Sequence, residues 1–236
     1  MPSAISAILV STAVSQALDL KVQLCVSKFS DLSILIAHAS VVKLMARTYT
    51  LKRRAEQQAE TRQRIVEAAV DLHGTVGPAL TTFSMVAEHA GVQRHTLYAH
   101  FPDERSLLMA CSALALERDP LPDPAPWRSI ADRHERLRVG LTAIYGWFER
   151  GAELAACILR DAETHPVVRE VVGLRMGPAI AAHHEVLGAK LNAKQRAMLG
   201  LALSFYTWRN LVREGGLTQN AAVGAMLQAI EGATKS

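Results

Sequence analysis

Residues 81–101 read TTFSMVAEHAGVQRHTLYAHF, and this stretch decides the fold of the first half of the chain. Thr81 and Thr82 carry hydroxyl groups that can cap the N-terminus of a helix. Gly91 tolerates the left-handed backbone conformation that a tight turn between two helices needs. A short helix, a glycine turn and a second short helix with a polar first turn together predict a helix-turn-helix.

The flanking segments complete a three-helix unit. Before the motif, apolar residues recur at the spacing of one helix face, and this helix should end near Gly74 (Ile65, Ala68, Ala69, Leu72). After the motif, Pro102 ends the second short helix, and Asp103 can cap a longer helix that continues through Leu116. We therefore predict a helix-turn-helix domain over residues 58–119.

The second helix of the motif opens with side chains that can read base edges. In a helix-turn-helix, this end of the recognition helix enters the major groove of DNA. Arginine can form two hydrogen bonds to guanine, glutamine can do so to adenine, and threonine offers a hydroxyl and a methyl group. The residues predicted to face the bases are Gln93, Arg94, His95 and Thr96.

The same run resembles the signature of the TetR family of transcriptional regulators. The shared features are the threonine that opens the first helix, Ala-Glu before Ala-Gly-Val at the turn, and Thr-Leu-Tyr with His-Phe at the end. The resemblance implies that Thr82 and Tyr98 contact phosphate, that residues 93–96 face bases or nearby phosphates, and that His100 lies near the DNA backbone.

Charge supports DNA binding only locally, although the chain has a formal net charge of +4. From Met45 to Arg64 there are six basic and two acidic residues, and we interpret residues 45–57 as a basic N-terminal arm. Arg54 and Arg62 should add attraction to the DNA backbone. The resemblance implies a Lys or Arg two residues after Pro102, but Glu104 stands there, and whether Arg105 substitutes for it is left open.

Residues 1–44 do not fit the rest of the chain. Residues 1–18 carry no charge, but they lack the basic start of a signal peptide and are diluted by serine and threonine. Met45 opens a polar, basic lead into the first strong helix. We hypothesise that Met45 is the natural start and that residues 1–44 are a non-native or disordered extension; the alternative is a loosely docked helix.

The remainder, residues 120–236, is predicted to be a helical body for effector binding and dimerisation. Four prolines mark a linker between Asp119 and Pro126. Helical periodicity then predicts helices over residues 127–150, 151–163, 166–188, 193–214 and 218–232, with no alternating strands. The fold class is therefore all-α: an N-terminal three-helix helix-turn-helix head followed by a helical body.

The last two predicted helices suit a dimer interface. Residues 197–211 are apolar nearly all round, and a helix of that kind needs partners on every side. The resemblance implies that these helices form a four-helix bundle with a second copy. Two-fold symmetry would then place two recognition helices about 34–36 Å apart, which matches a palindromic operator in double-stranded DNA. A monomeric core is the alternative.

The resemblance also implies a small-molecule effector inside the body. A mostly apolar pocket with a few polar groups favours an apolar or aromatic effector. Most of the candidate wall residues could equally be ordinary core residues: Leu141, Ile144, Tyr145, Phe148, Met176, His183, Phe205 and Trp208.

Other functional classes find little support in the sequence. We recognise no nucleophile elbow, zinc-protease motif, phosphate-binding loop or dinucleotide fingerprint, so no enzyme activity and no cofactor are predicted. His183 and His184 are adjacent on a helix and point about 100° apart, which disfavours a shared metal ion. Three widely spaced cysteines and the lack of a clean membrane-spanning stretch fit a cytoplasmic protein.

We therefore predict a sequence-specific DNA-binding transcriptional regulator, with repression relieved by a small-molecule effector. The alternative is a helix-turn-helix protein that binds DNA non-specifically or binds other proteins, without an effector. The sequence does not predict the operator, the effector, the regulated genes or the sign of regulation.

Overall fold

The computed structural model describes residues 43, 49 and 51–233, and the chain divides into two compact units. The first unit, residues 1–60, is described mainly at residues 51–60, which are helical and exposed. The predicted basic arm is therefore helical at residues 51–57. The predicted extension over residues 1–44 lies, except for residue 43, outside the described residues and stays a prediction.

The second unit, residues 61–236, is built from helices joined by short turns. Its described residues contain no β-strand, so the predicted all-α class is confirmed. The helices are α1 (residues 61–75), α2 (Phe83–His89), α3 (Arg94–His100), α4 (Glu104–Arg118), α5 (Arg133–Arg150), α6 (Ala152–Thr164), α7 (Pro166–Leu187), α8 (Ala193–Ala202), α9 (Phe205–Arg209) and α10 (Gln219–Gly232). Two 3-10 turns, Pro78–Leu80 and Ala125–Ser129, lie before α2 and α5.

Helices α1 to α4 share one buried apolar cluster, which we call the head core. Its fully buried members include Ile65 on α1, Val86 on α2 and Leu97 on α3, and α4 contributes Leu107 and Cys111. Each helix presents one apolar stripe at helical spacing, and burial of these stripes against each other removes them from water.

A second, larger cluster forms the body core between α5, α7, α8, α9 and α10. Helix α10 packs against both α5 and α8. Gly140 on α5 allows close approach of α7, because a Cβ atom at this position would lie 2.6 Å from Leu187 Cδ2. Tyr145 and Trp208 are fully buried at the centre of this cluster.

Two of the predicted body helices differ from the observed helices. One begins later in the chain, and the other is broken into two. Helix α5 begins at residue 133 rather than 127, because the Asp132 carboxylate accepts a 2.7 Å hydrogen bond from the Glu135 amide and caps the helix there. The predicted helix over residues 193–214 is broken, because Ser204 leaves the helical conformation with ψ of 132°. The break gives the separate α9, which ends in a π-type turn at Asn210–Glu214.

Candidate nucleic-acid interface and apolar cavity

The turn between α2 and α3 has the geometry that the sequence predicts. The Thr82 hydroxyl accepts a 3.3 Å hydrogen bond from the Met85 amide and so caps α2. Gly91 adopts φ of +63°, a left-handed conformation that favours glycine. The Val92 amide then donates to the Ala87 carbonyl at 2.9 Å, which closes the turn.

Helix α3 is held by its apolar side and exposes its first turn. Leu97 and Phe101 are buried in the head core, which fixes the orientation of the helix. The side chains predicted to read bases lie at the opposite, N-terminal end: Gln93, Arg94 and His95 are exposed and Thr96 is half-buried. Among the described residues, the Arg94 guanidinium forms no ion pair that would hold it away from a ligand.

The predicted phosphate contacts lie around the same end of the head. Thr82 is exposed, His100 is half-buried, and Tyr98 is 46% exposed with its ring 5.1 Å from that of Phe83. The Phe83 contact orients the Tyr98 ring while its edge remains open to solvent. Whether these residues contact DNA stays a prediction.

The basic residues before α2 have different surroundings. The Arg62 guanidinium stacks 4.8 Å above the ring centroid of Phe101, and Arg64 Nη1 donates to the Ala90 carbonyl at 3.4 Å. Both arginines therefore brace the end of α3 and the turn, a role that the sequence reading missed for Arg64. Arg54 is exposed in the first unit.

Glu104 and Arg105, at the start of α4, contact residues of α7 or the residue just before it. Arg105 Nη2 lies 2.9 Å from Glu170 Oε1, and Glu104 Oε1 lies 3.4 Å from His165 Nε2. In this conformation the Arg105 guanidinium is bound to a carboxylate of the body, and its substitution for the cation at position 104 stays open.

A cavity of about 170 Å³ lies between α4, α6 and α7 and reaches the end of α1. Its wall is apolar over most of its area, with aliphatic side chains such as Leu108, Leu154, Ile158 and Val171. The polar or charged side chains among its lining residues belong to His73, Ser112, Asp119 and Arg175, with the indole of Trp147 nearby.

Two of the eight predicted effector-pocket residues, Phe148 and Met176, line this cavity. The other six lie elsewhere: Leu141, Ile144, Tyr145, Phe205 and Trp208 are buried in the body core, and His183 stacks on Trp127 with ring centroids 5.4 Å apart. His183 Nε2 also donates to the Pro122 carbonyl at 2.6 Å, which gives this histidine a structural role. The residues that sequence reasoning missed are aliphatic ones on α4, α6 and α7, and no sequence signal distinguishes them from core.

The head is tied to the body next to this cavity. Asp161 on α6 is 5% exposed, and its Oδ2 accepts a 2.8 Å hydrogen bond from the Ala79 amide. Arg160 Nε donates to Asp161 Oδ1 at 2.8 Å, and Arg160 Nη2 donates to the Val76 carbonyl at 3.1 Å. Burial alone would raise the pKa of Asp161, but the hydrogen bonds from Arg160 and Ala79 hold it below its ordinary value.

Comparison with known proteins supports the geometry of the head. Residues 65–111 match the family model described as bacterial regulatory proteins, tetR family. The match covers the helix-turn-helix and its flanking helices, and it does not extend into the body. These residues therefore form a DNA-binding helix-turn-helix of the kind found in the transcriptional regulators of that family. No curated protein sequence matches the chain.

Solved structures share the fold of this chain beyond the head. A TetR-like transcriptional regulator from a Rhodococcus species is 20% identical with a TM-score of 0.51, over 72% of this chain and 93% of that one. FadR of Bacillus halodurans, a fatty acid degradation regulator, is 18% identical with a TM-score of 0.54, over 74% and 96%. FadR of Bacillus subtilis, solved with stearoyl-CoA, is 16% identical with a TM-score of 0.52, over 73% and 99%. At these identities the likeness establishes the fold.

Among the described residues, no helix is long and apolar enough to cross a membrane.

Proposed function

We propose that this chain is a TetR-family regulator that represses transcription as a cytoplasmic homodimer on a palindromic operator, and that a small apolar effector in the cavity releases it. The observation that carries this proposal is the position of the cavity. Its walls come from α4 and α6, and these two helices also hold the head: α4 supplies part of the head core, and α6 binds the turn before α2.

Because of this position, a bound effector can change the orientation of the head. A ligand that fills the space between α4, α6 and α7 changes the packing of two helices whose other contacts set the orientation of the head. Because a ligand can shift an equilibrium only by its differential affinity for the two states, the effector must bind more tightly when the heads no longer match the operator.

The DNA contacts in this proposal are those at the exposed end of the head. Gln93, Arg94, His95 and Thr96 read base edges, and Thr82, Tyr98 and His100 position the helix on phosphate and sugar. Arg54 and Arg62 add backbone attraction, with Arg62 also held against Phe101.

The chemistry of the wall supports an apolar effector. Aliphatic side chains dominate it, and an apolar ligand gains free energy in proportion to the apolar surface that it removes from water. FadR of Bacillus subtilis, which shares the fold, was solved with stearoyl-CoA. For this chain we infer from that complex only that the ligand has an apolar part.

The dimer in this proposal uses the exposed apolar side chains of α8 and α9. Leu201 on α8 is 54% exposed and Tyr206 on α9 is 39% exposed, whereas Leu199, Phe205 and Trp208 of the same segment are buried within the chain. A second copy would cover the exposed pair.

The test is release of the protein from its own operator. The operator is first obtained by selection from random duplexes, and complex formation is then measured by fluorescence anisotropy while a panel of neutral and charged apolar compounds is added. We expect some members to raise the Kd for the operator at least about tenfold, a coupling of typical size. As a control, Ala155→Leu, which fills the cavity from α6, should bind the operator and ignore the same compounds. If no compound in a broad panel changes the Kd, the effector part of the proposal is wrong.

A further inference from the structure

The cavity contains one positive charge that nothing in the described part of the chain neutralises. Arg175 on α7 lines the cavity, and its Nη2 donates to the backbone carbonyl of Met109 at 2.8 Å. Its Nε is buried and has no hydrogen-bond partner. Among the described residues, no carboxylate forms an ion pair with this guanidinium.

Such an arrangement is costly in an apolar wall. A buried donor without an acceptor destabilises the fold, and a charged group does so more than a neutral one. Proteins therefore pair buried arginines with carboxylates or phosphates, and the planar guanidinium is well suited to both. A guanidinium in a cavity wall that lacks such a partner can bind a carboxylate or phosphate group of a ligand.

The other polar groups of the cavity do not supply it. The Asp119 carboxylate is bound by Arg150, with Nη2 and Oδ1 2.8 Å apart, so its charge is already balanced. The Ser112 hydroxyl donates to the same Met109 carbonyl at 3.1 Å. Burial lowers the pKa of His73 to about 4, so its ring is neutral at physiological pH and adds no charge to the cavity.

We propose that the effector is a small apolar carboxylic acid whose carboxylate is bound by Arg175 and whose apolar part lies against α4 and α6. This inference rests on the effector cavity in the proposed function and names the class of its ligand. The volume limits the ligand: a cavity of about 150 Å³ holds benzene, so about 170 Å³ suits an apolar part of roughly seven non-hydrogen atoms beyond the carboxylate.

The same contact gives the acid a reason to act on the head. The Met109 carbonyl that Arg175 now binds belongs to α4, and α4 carries Leu107 and Cys111 in the head core. A ligand carboxylate is a stronger acceptor than a backbone carbonyl and competes with it for the guanidinium. Binding of the acid therefore weakens a tie between α7 and α4, which a neutral apolar ligand in the same space does not.

The experiment compares octanoate with 1-octanol by isothermal titration calorimetry on the full chain at neutral pH. The two probes share an apolar chain, and only octanoate carries the charge. We expect octanoate to bind at least about tenfold more tightly, because hydrogen bonds between charged groups are stronger than those between neutral groups. Arg175→Gln should abolish this preference while 1-octanol binding remains. Arg133→Gln, at an exposed arginine on α5, should keep the preference. Thermal unfolding of both variants shows whether they remain folded.

Several results would overturn the inference, and they differ from failure of the proposed function. If 1-octanol binds as tightly as octanoate, the cavity is an apolar site without an anion anchor, and the proposed function stands. If Arg175→Gln retains the preference for octanoate, another group holds the carboxylate. If neither probe binds, the acid class is wrong, and the broad panel tested on the operator complex decides separately whether the chain has an effector at all. Even if Arg175→Gln does not fold, the affinities of octanoate and 1-octanol for the unmodified chain show whether the cavity prefers the carboxylate.

Discussion

The carboxylate of Asp161 on α6 accepts a 2.8 Å hydrogen bond from the backbone amide of Ala79, and this contact joins the body to the head. The Ala79 amide lies in the 3-10 turn that follows α1 and precedes the motif. Asp161 also accepts from Arg160, whose guanidinium donates to the Val76 carbonyl, so two hydrogen bonds join the segment between α1 and α2 to α6. Helix α6 also lines the cavity.

Removal of the Asp161 carboxylate should destabilise the chain. Asp161→Ala leaves the Ala79 amide without its acceptor and removes the carboxylate from Arg160 Nε, at an expected cost of about 1–3 kcal/mol. Urea unfolding followed by circular dichroism measures the free energy of unfolding. Asp161→Asn, which keeps an oxygen for the Ala79 amide, should lose less. Equal stability of Asp161→Ala and the unmodified chain would show that the contact contributes nothing.

Gly77, next to the Asp161 carboxylate, should not tolerate a side chain. Gly77 has φ of +100°, and a Cβ atom there would lie 2.5 Å from Asp161 Oδ2 and closer still to the Arg160 guanidinium. Gly77→Ala should therefore cost about 1–3 kcal/mol through strain and overpacking. Gly173→Ala is the matched control, because Gly173 lies within α7 with no atom near its missing Cβ, and alanine there should stabilise the helix. Thermal unfolding compares the two; equal effects would contradict the assigned role of Gly77.

Buried His73 should make stability depend on pH. Burial lowers its pKa in the folded chain from 6.5 to about 4, although the nearby Asp161 charge acts in the opposite direction. Between these two pH values the unfolded chain binds the proton more tightly, so stability falls as the pH falls from about 6.5 to about 4. The full change is on the order of 3 kcal/mol. Asp161, whose pKa is lowered, adds its own loss only at still lower pH, below 3.8.

His73→Gln separates this effect from other titrations. Glutamine cannot take up a proton in this range, so the free energy of unfolding of the variant should change much less between pH 7 and pH 4.5. Urea unfolding at the two pH values gives the comparison. An undiminished pH dependence in His73→Gln would assign the effect to other groups.

The head was largely predictable because its signals are local. The Thr82 cap, the positive φ of Gly91 and the Asp103 cap, whose carboxylate accepts from the Ser106 amide at 2.7 Å, each depend on residues within a few positions. Turn chemistry of this kind is written in short stretches of sequence, so the bounds of α2, α3 and α4 followed from it.

The body was less predictable because its breaks and its cavity depend on tertiary packing. Residues 197–211 are apolar nearly all round, and residues 193–214 contain no proline, so nothing local marks the departure from helix at Ser204. Phe205 and Trp208, expected around a ligand, instead pack in the core, 5.6 Å and 5.9 Å from the ring of Phe148, which also lines the cavity. Helical spacing shows that a side chain points inward, but not whether it meets another side chain or an empty space.

Arg94 should contribute to sequence recognition. If it reads a guanine, Arg94→Ala should weaken binding to the selected operator by about 1–3 kcal/mol and relax the preference at one position of each half-site. Fluorescence anisotropy with the operator and with random duplex measures both affinities at a fixed salt concentration. Arg133→Ala, at an exposed arginine of α5, should leave both unchanged. An equal loss on operator and random DNA would mean that Arg94 contacts only phosphate.

Leu201 should contribute to dimer formation. It is 54% exposed on α8, so Leu201→Lys should cost little folding stability, but in a dimer it would bury a charge. Light scattering coupled to size-exclusion chromatography should then show a shift from dimer toward monomer. Leu174→Lys on α7, at a leucine that is 52% exposed, is the control and should remain dimeric. A dimeric Leu201→Lys would place the interface elsewhere.

The most direct test of a dimeric, sequence-reading regulator is selection of bound duplexes from a random pool by the full chain at a stated salt concentration. We expect enrichment of one palindrome whose half-sites lie one helical turn, about 34–36 Å, apart. Enrichment of a single half-site without symmetry would contradict the dimer. If no sequence is enriched while the chain still binds DNA, the exposed end of α3 does not read bases, and the central claim is wrong.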